Sequence, residues 1–308
     1  MACGLEGLRA MNGMLPQGRA RLVALATTIV PGAWWLAFFL LLPVVLVVLL
    51  AFASTSPEGT PTWPPALEGL RQAAGFGILG FSDGNLRALL RSVVQALMTT
   101  AACAVLAYGV VFFILSRPAA WRGLLLLAVV VPSWTNQVVR AYAWMQLLGP
   151  EALLSRLAQY VGLIPPHLGL YPSYLAVFLG LVYNFLPYMV VPLYAAAERI
   201  DWTLLEAGSD LYATGWRLFR HAVLPQTYPG LLSGIILVLI PTFGNFVVPQ
   251  LLGGNKATML GNLIANQFTI NGDWPYGSAL TLIMLVMTLL AIFFMRRLGN
   301  RQGGAVAL

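Results

Sequence analysis

Charge is the scarcest property of this chain. Of 308 residues only 9% are Asp, Glu, Lys or Arg, against 59% hydrophobic, where soluble domains carry about 25% charge. Such a composition excludes an ordinary soluble domain, and the bilayer is the solvent to reason from. Histidine is almost missing: His167 and His221 are the two present, far apart in sequence, and no metal site is expected of them. Cys3 and Cys103 are the two cysteines, one in an N-terminal tail and one inside an apolar run, which excludes a disulfide framework. No GxxxxGK[ST] phosphate cradle occurs, so this chain is not expected to hydrolyse nucleotide or to bind a cofactor itself. The formal net charge is +7. Its basic residues nevertheless stand singly, without the aromatic interleaving of a nucleic-acid surface. The excess reads as loop charge of a membrane protein, and no nucleic-acid partner is expected.

What is present is apolar length. Six windows reach the about 20 residues that a spanning helix needs: residues 31–53, 93–115, 123–148, 174–197, 230–252 and 277–295, none containing Asp or Glu. Arg19 and Arg21 precede the first window, and Ala51-Phe52-Ala53 resembles a cleavage site. The run exceeds the roughly 7–15 residues of a signal h-region, so it is read as a retained anchor. With the N-terminus inside, cytosolic segments hold 11 of 17 basic residues: Arg9, Arg19, Arg21, Arg117, Arg122, Arg199, Arg217, Arg220, Arg296, Arg297 and Arg301. This asymmetry favours N-in, C-in. The expected organisation is a cytosolic tail over 1–30, an anchor helix over 31–53, an outer loop over 54–86, a membrane core over 87–296 and a cytosolic tail over 297–308. The outer segment 54–92 carries Pro57, Pro61, Pro64 and Pro65 and is expected to be irregular, with a short interfacial helix over 85–91. No repeat of solenoid period and no inverted repeat stands out.

Residues 198–229 form a polar island between two apolar windows. Four of the ten carboxylates lie there, Glu198, Asp201, Glu206 and Asp210. Thr203 and Glu206 have capping-box spacing and predict a helix starting near Thr203. Ala207 and Gly208 on that helix leave room for another surface to approach. Thr214 is placed to cap a second helix, which Pro225 is expected to stop. An amphipathic interfacial connector and a docking element both fit this pattern.

The same residues carry a resemblance. Glu206-Ala207-Gly208, Asp210-Leu211, Leu224-Pro225 and Pro229-Gly230 resemble the EAA loop of binding-protein-dependent ABC importer permeases. Val131-Pro-Ser-Trp-Thr135, Val139-Arg-Ala-Tyr-Ala-Trp144, Ile240-Pro-Thr-Phe-Gly244 and Val248-Pro-Gln-Leu-Leu-Gly-Gly254 resemble the spermidine/putrescine subgroup. So do Gly261-Asn-Leu-Ile, Asp273-Trp-Pro275 and Gly277-Ser-Ala279, so that the likeness covers about 87–295. Tyr212 and Gly208 depart from the usual loop, where glycine and a second alanine stand.

The resemblance implies an all-α integral membrane protein with six transmembrane helices and a type I ABC importer fold. It implies a multi-pass subunit of the bacterial inner membrane. Expected partners are a second similar permease, two ATPase subunits that bind the ATP and Mg, and a periplasmic substrate-binding protein. Glu206, Ala207, Gly208, Asp210, Leu211, Leu224 and Pro225 would couple to the ATPases. The cargo it suggests is a polyamine. Asn245 and Gln250, however, are neutral where putrescine-type members carry glutamates, so other small amino compounds or organic anions stay open.

Polar groups inside the spans are the candidates for a pathway: Asn136, Arg140, Asn184, Asn245 and Gln250. Arg140 follows Arg122 by 18 residues, about 27 Å along a straight helix at 1.5 Å per residue. That places it near the outer edge of the hydrocarbon, either snorkelling to water or lining a vestibule. Tyr142 and Trp144 fit an interfacial aromatic belt. An ion-coupled carrier would need intramembrane carboxylates, and an intramembrane enzyme a nucleophile paired with a base. The spans offer neither.

Overall fold

Within hydrocarbon every backbone N–H and C=O must find its partner inside its own segment, so long apolar runs become helices. A computed structural model describes residues 17–55, 61–62, 67–77, 80–81, 83–162, 164–165, 168–210, 215–254 and 257–301. Its long elements are all helical, and five helices are long and apolar enough to cross a membrane, or six if one bent pair counts as a single span.

Helix α1 (Gln17–Ala51) opens the chain and its apolar part is Val30–Ala51. The segment expected to be irregular holds two short antiparallel hairpins, β1 (Ser54–Thr55) with β2 (Pro61–Thr62) and β3 (Phe76–Gly77) with β4 (Gly80–Phe81). Between the hairpins lies helix α2 (Glu68–Ala73). Residues 85–91 do not form a separate interfacial helix. They are the first turns of α3 (Gly84–Leu115), where Arg87 pairs with Asp83 one turn back. The spacing is that of a stabilising helical ion pair.

The window 123–148 is not one straight span. Helix α4 (Ala119–Val130) passes through a 3-10 turn, Val131–Trp134, into α5 (Gln137–Leu147), and the two arms differ in direction by 93°. Pro132 sits in the tight turn, Thr135 is extended at ψ 152, and the Asn136 side chain accepts the Val138 N–H at 2.8 Å, restarting the helix. The 27 Å advance expected from Arg122 to Arg140 is therefore wrong, because the chain turns aside before Arg140.

After α6 (Leu153–Tyr160) comes α7 (Tyr174–Ala197), capped by Ser173, whose hydroxyl accepts from Ala176 N. Helices α8 (Trp202–Asp210) and α9 (Gly215–Leu218) lead through a wide π-turn, Phe219–Val223, into α10 (Leu224–Phe243). The expected stop at Pro225 does not occur: Gly215–Phe243 runs as one helical span. Proline lacks an N–H and crowds the carbonyl four residues back, and the π-turn just before it supplies the slack. The window 230–252 likewise breaks at Gly244, and Asn245 recaps the chain by accepting the Val248 N–H at 3.0 Å. A second π-turn, Pro249–Gly253, follows, then α11 (Leu260–Asn266), a third π-turn, Gln267–Asn271, and α12 (Trp274–Arg301).

The two breaks share a short pattern, far briefer than a solenoid or inverted repeat. Val131-Pro-Ser-Trp-Thr-Asn136 matches Ile240-Pro-Thr-Phe-Gly-Asn245, and Val-Val stands two residues past each asparagine. In both, proline removes a helical donor and asparagine supplies the acceptor that restarts the helix.

Helix α7 is the centre of the bundle, held between α10 and α3. Lipid tails are as apolar as leucine, so close fit rather than hydrophobicity brings spanning helices together. A methyl at Gly230 would lie 2.5 Å from the Pro192 carbonyl oxygen, backbone that cannot swing aside, which is why the α7–α10 contact needs glycine there. Cys103, Ala107, Val111 and Ile114 turn one face of α3 into the same core as Leu181, Met189, Val190 and Leu193. A second core joins Ala51, Ala73, Ala96, Leu260, Tyr276 and Leu280 at the end remote from the acidic island. Polar pins cross it. Tyr276 donates to Asn85 Oδ1 at 2.7 Å, Asn85 Nδ2 donates to Gln72 O at 2.9 Å, and Leu260 N donates to the buried Ser92 hydroxyl at 2.8 Å.

Candidate functional site

At the acidic island the backbone leaves α7 and must expose helix ends. Asp201 meets that need: its Oδ1 accepts from Thr203 N at 3.0 Å and from Thr203 Oγ1 at 2.7 Å. The expected capping box between Thr203 and Glu206 is not made, because α8 starts at Trp202 and both residues lie inside it. An aspartate one residue earlier reaches the free N–H groups first, and its charge suits a helix N-terminus. Gln226, which the sequence reading missed, ties the turn to the next helix. Its Oε1 accepts from Asp201 N at 2.8 Å and its Nε2 donates to Ala222 O at 2.9 Å.

Glu206 and Asp210 are exposed one turn apart on α8, and neither is in an ion pair among the described residues. Ala207 is exposed as well, Leu224 is half-buried and Pro225 is exposed at the start of α10. Leu211 lies outside the described residues, as does Thr214, the expected cap. The room at Gly208 is already taken from within the chain. An added methyl there would stand 2.7 Å from Leu218 Cδ2, so this glycine lets α8 and α9 meet.

Beside that contact lies a groove of about 520 Å³, lined by Leu204, Gly208, Leu218, His221, Pro225 and Gln226. Leu204 is 54% exposed and Trp216 71%. The island is thus a pinned pair of short helices with exposed apolar anchors, a groove and two exposed carboxylates. That composition suits a protein partner better than water.

The five polar residues expected in the spans separate into three kinds. Asn136 and Asn245 spend their side-chain oxygens as helix caps at the two breaks. Asn184 is buried in α7, with neither amide atom bonded, and Arg140 has a buried Nε without a partner. Gln250 is exposed on the second π-turn. Trp144 is not simply a belt residue, because its ring meets Tyr183 of α7 edge-on at 5.7 Å, while Tyr142 is exposed. The structure brings α5 against the second π-turn and against α7, so both broken helices meet on one side of the bundle. No hydrogen bond or ion pair joins the five residues to one another.

A profile of the binding-protein-dependent transport system inner membrane component matches residues 77–303. The spermidine/putrescine transport system permease protein PotB of Haemophilus influenzae is 34% identical over 259 residues, covering 84% of this chain and 88% of that protein. Its Escherichia coli counterpart is 34% identical over 280 residues, covering 87% and 96%. Among solved structures, a bacterial ABC transporter that imports the acidic polysaccharide alginate superposes with a TM-score of 0.71 at 15% identity, covering 92% of this chain and 97% of that one. The methionine transporter MetNI gives 0.52 at 16% identity over 71% of this chain.

The fold is thus that of an ABC importer's membrane component. The chain belongs to the family of binding-protein-dependent transport system inner membrane components, as a non-catalytic, multi-pass permease of the inner membrane. Nucleotide is bound by the ATPase partners of such permeases.

Proposed function

We propose that this permease imports a small organic cation of the polyamine class, delivered by a periplasmic binding protein and driven by two ATPase subunits. The likeness to spermidine/putrescine permeases over 84–87% of the chain carries this reading. A second permease of similar fold completes the passage. The N-terminus, the C-terminus and the 198–229 loop face the cytosol, supported by the basic residues on that side. The membrane core spans 87–296.

In this reading α8 and the groove beside it seat the ATPase, with Glu206, Ala207, Gly208, Asp210, Leu211, Leu224 and Pro225 as the contact set. Glu206 and Asp210, exposed and in no ion pair among the described residues, support it. ATP-driven closure of the ATPases then moves the loop, and α10 carries the movement into the membrane. Along the pathway Asn136 and Asn245 hold the bends, while Arg140, Asn184 and Gln250 offer polar groups to the solute.

The test uses the complex purified with its ATPases and binding protein in proteoliposomes. Glu206→Lys is expected to leave insertion and assembly intact while uptake of radiolabelled putrescine falls by at least about tenfold, the effect of losing a charge pair worth ~1.4 kcal/mol. Unchanged uptake would remove Glu206 from the coupling role. A second cargo, a small organic anion, is favoured by one feature: the spans contain no carboxylate, whereas Arg140 has an unbonded buried Nε. Thermal stabilisation of the binding protein by an organic acid, and not by putrescine, would select it.

A further inference from the structure

We propose that Tyr108 is a positioning residue that fastens segment 215–223 to α3, so that the two move as one body when the ATPase presses on the loop. The inference rests on the coupling role proposed above. Four aromatic rings run from the bundle to its exposed end. Phe112 stacks 6.1 Å from Tyr108, Tyr108 meets Phe219 edge-on at 5.2 Å, and Phe219 stacks 5.6 Å from Trp216. Trp216 is 71% exposed, so the outer rung is where a partner would touch.

The phenol adds a second hold. Tyr108 Oη lies 2.8 Å from Thr227 Oγ1, across 119 residues of sequence. The single Thr227 proton is directed at Val223 O, 2.9 Å away, so the phenol is the donor. Tyr108 therefore grips the π-turn at both ends, at Phe219 through its ring and at Val223 through Thr227. A π-turn is a widened and less stable form of helix. Left unbraced, it would take up a displacement by tightening to the ordinary α form, and the push would end there. Braced at both ends, it hands the push to α3, which reaches the remote end of the bundle at Gly84.

The experiment places spin labels in the full chain, with Cys3→Ser and Cys103→Ser, assembled with its ATPases in lipid nanodiscs. One pair is Leu86→Cys with Ser209→Cys, reading α3 against the loop. A control pair is Ile270→Cys with Ser209→Cys. Distances are compared without nucleotide and after trapping with ATP and vanadate. In the native background the Leu86–Ser209 distance is expected to stay single and unchanged on trapping while the control pair shifts. Tyr108→Phe keeps the ring and removes the hydroxyl; on trapping, its Leu86–Ser209 distribution is expected to broaden or divide. Thr227→Val should do the same, and the double variant no more than either. If the Tyr108 and Thr227 variants match the native distribution while the control pair still shifts, the brace is refuted and the coupling role stands. If no pair shifts in any background, the coupling role falls and takes the brace with it.

Discussion

Among the described residues Asn184 is the least satisfied buried side chain: 3% exposed, with neither amide atom bonded. An unpaired buried polar group costs about 1–3 kcal/mol. Asn184→Leu is therefore expected to hold or raise the thermal midpoint in detergent while lowering transport; a fall in the midpoint would reveal a partner for the amide. Gln226 presents the opposite case, with both ends of its amide used. Gln226→Ala should cost about 1–2 kcal/mol by the same accounting, read as a lower midpoint and faster proteolysis at the loop. Glu206 and Asp210 were legible in the sequence because acids are so rare in this chain. Gln226 was not, since its partner Asp201 lies 25 residues away and only the folded loop brings them together. Gly208 was legible as a close-approach residue, but what approaches is Leu218 of the same chain.

The helical elements could be found from apolar length, whereas their ends and bends could not. Hydropathy counts residues and is blind to direction, so a window such as 123–148 conceals a 93° turn. Pro132 with Asn136, and Pro241 with Asn245, were visible one by one. Their shared arrangement acquires meaning only when each asparagine is seen accepting the first free N–H of the next helix. Caps of this kind are worth about 1 kcal/mol. Asn136→Ala and Asn245→Ala should each lower stability by about that amount, and Asn→Asp should recover most of it. Equal stability of the alanine and aspartate variants in a thermal unfolding series would mean that the bends are fixed by packing instead. Thr203 failed as a cap for a local reason. Asp201 precedes it and offers a charged acceptor nearer the free N–H groups, and a sequence window cannot rank the two.

The whole molecule shows one exposed apolar face after another, from Trp34 and Phe38 of α1 to Phe293 and Phe294 of α12, as a protein dissolved in lipid should. The side of the membrane each end faces is a question of charge, and labelling answers it. In intact cells carrying Cys3→Ser, an impermeant maleimide is expected to reach Glu151→Cys from outside, but Ser209→Cys only after the membrane is opened. The reverse pattern would invert the N-in, C-in arrangement. Cys103, at 0% exposure, should stay unlabelled in both until the chain is unfolded, which makes it an internal control for folding.

The π-turn at Phe219–Val223 holds one residue more than helical continuity requires. Losing a single amino acid from it would close the turn to the ordinary α form with its flanks near their present directions, whereas the same loss from the regular helix after Leu224 would swing everything before it about 100° around the axis of α10. Trp216 and the short helix bearing Glu206 would then face another quarter of the compass. Spacing along α10 is thus as much under constraint as side-chain identity, while the π-turn has a residue to spare.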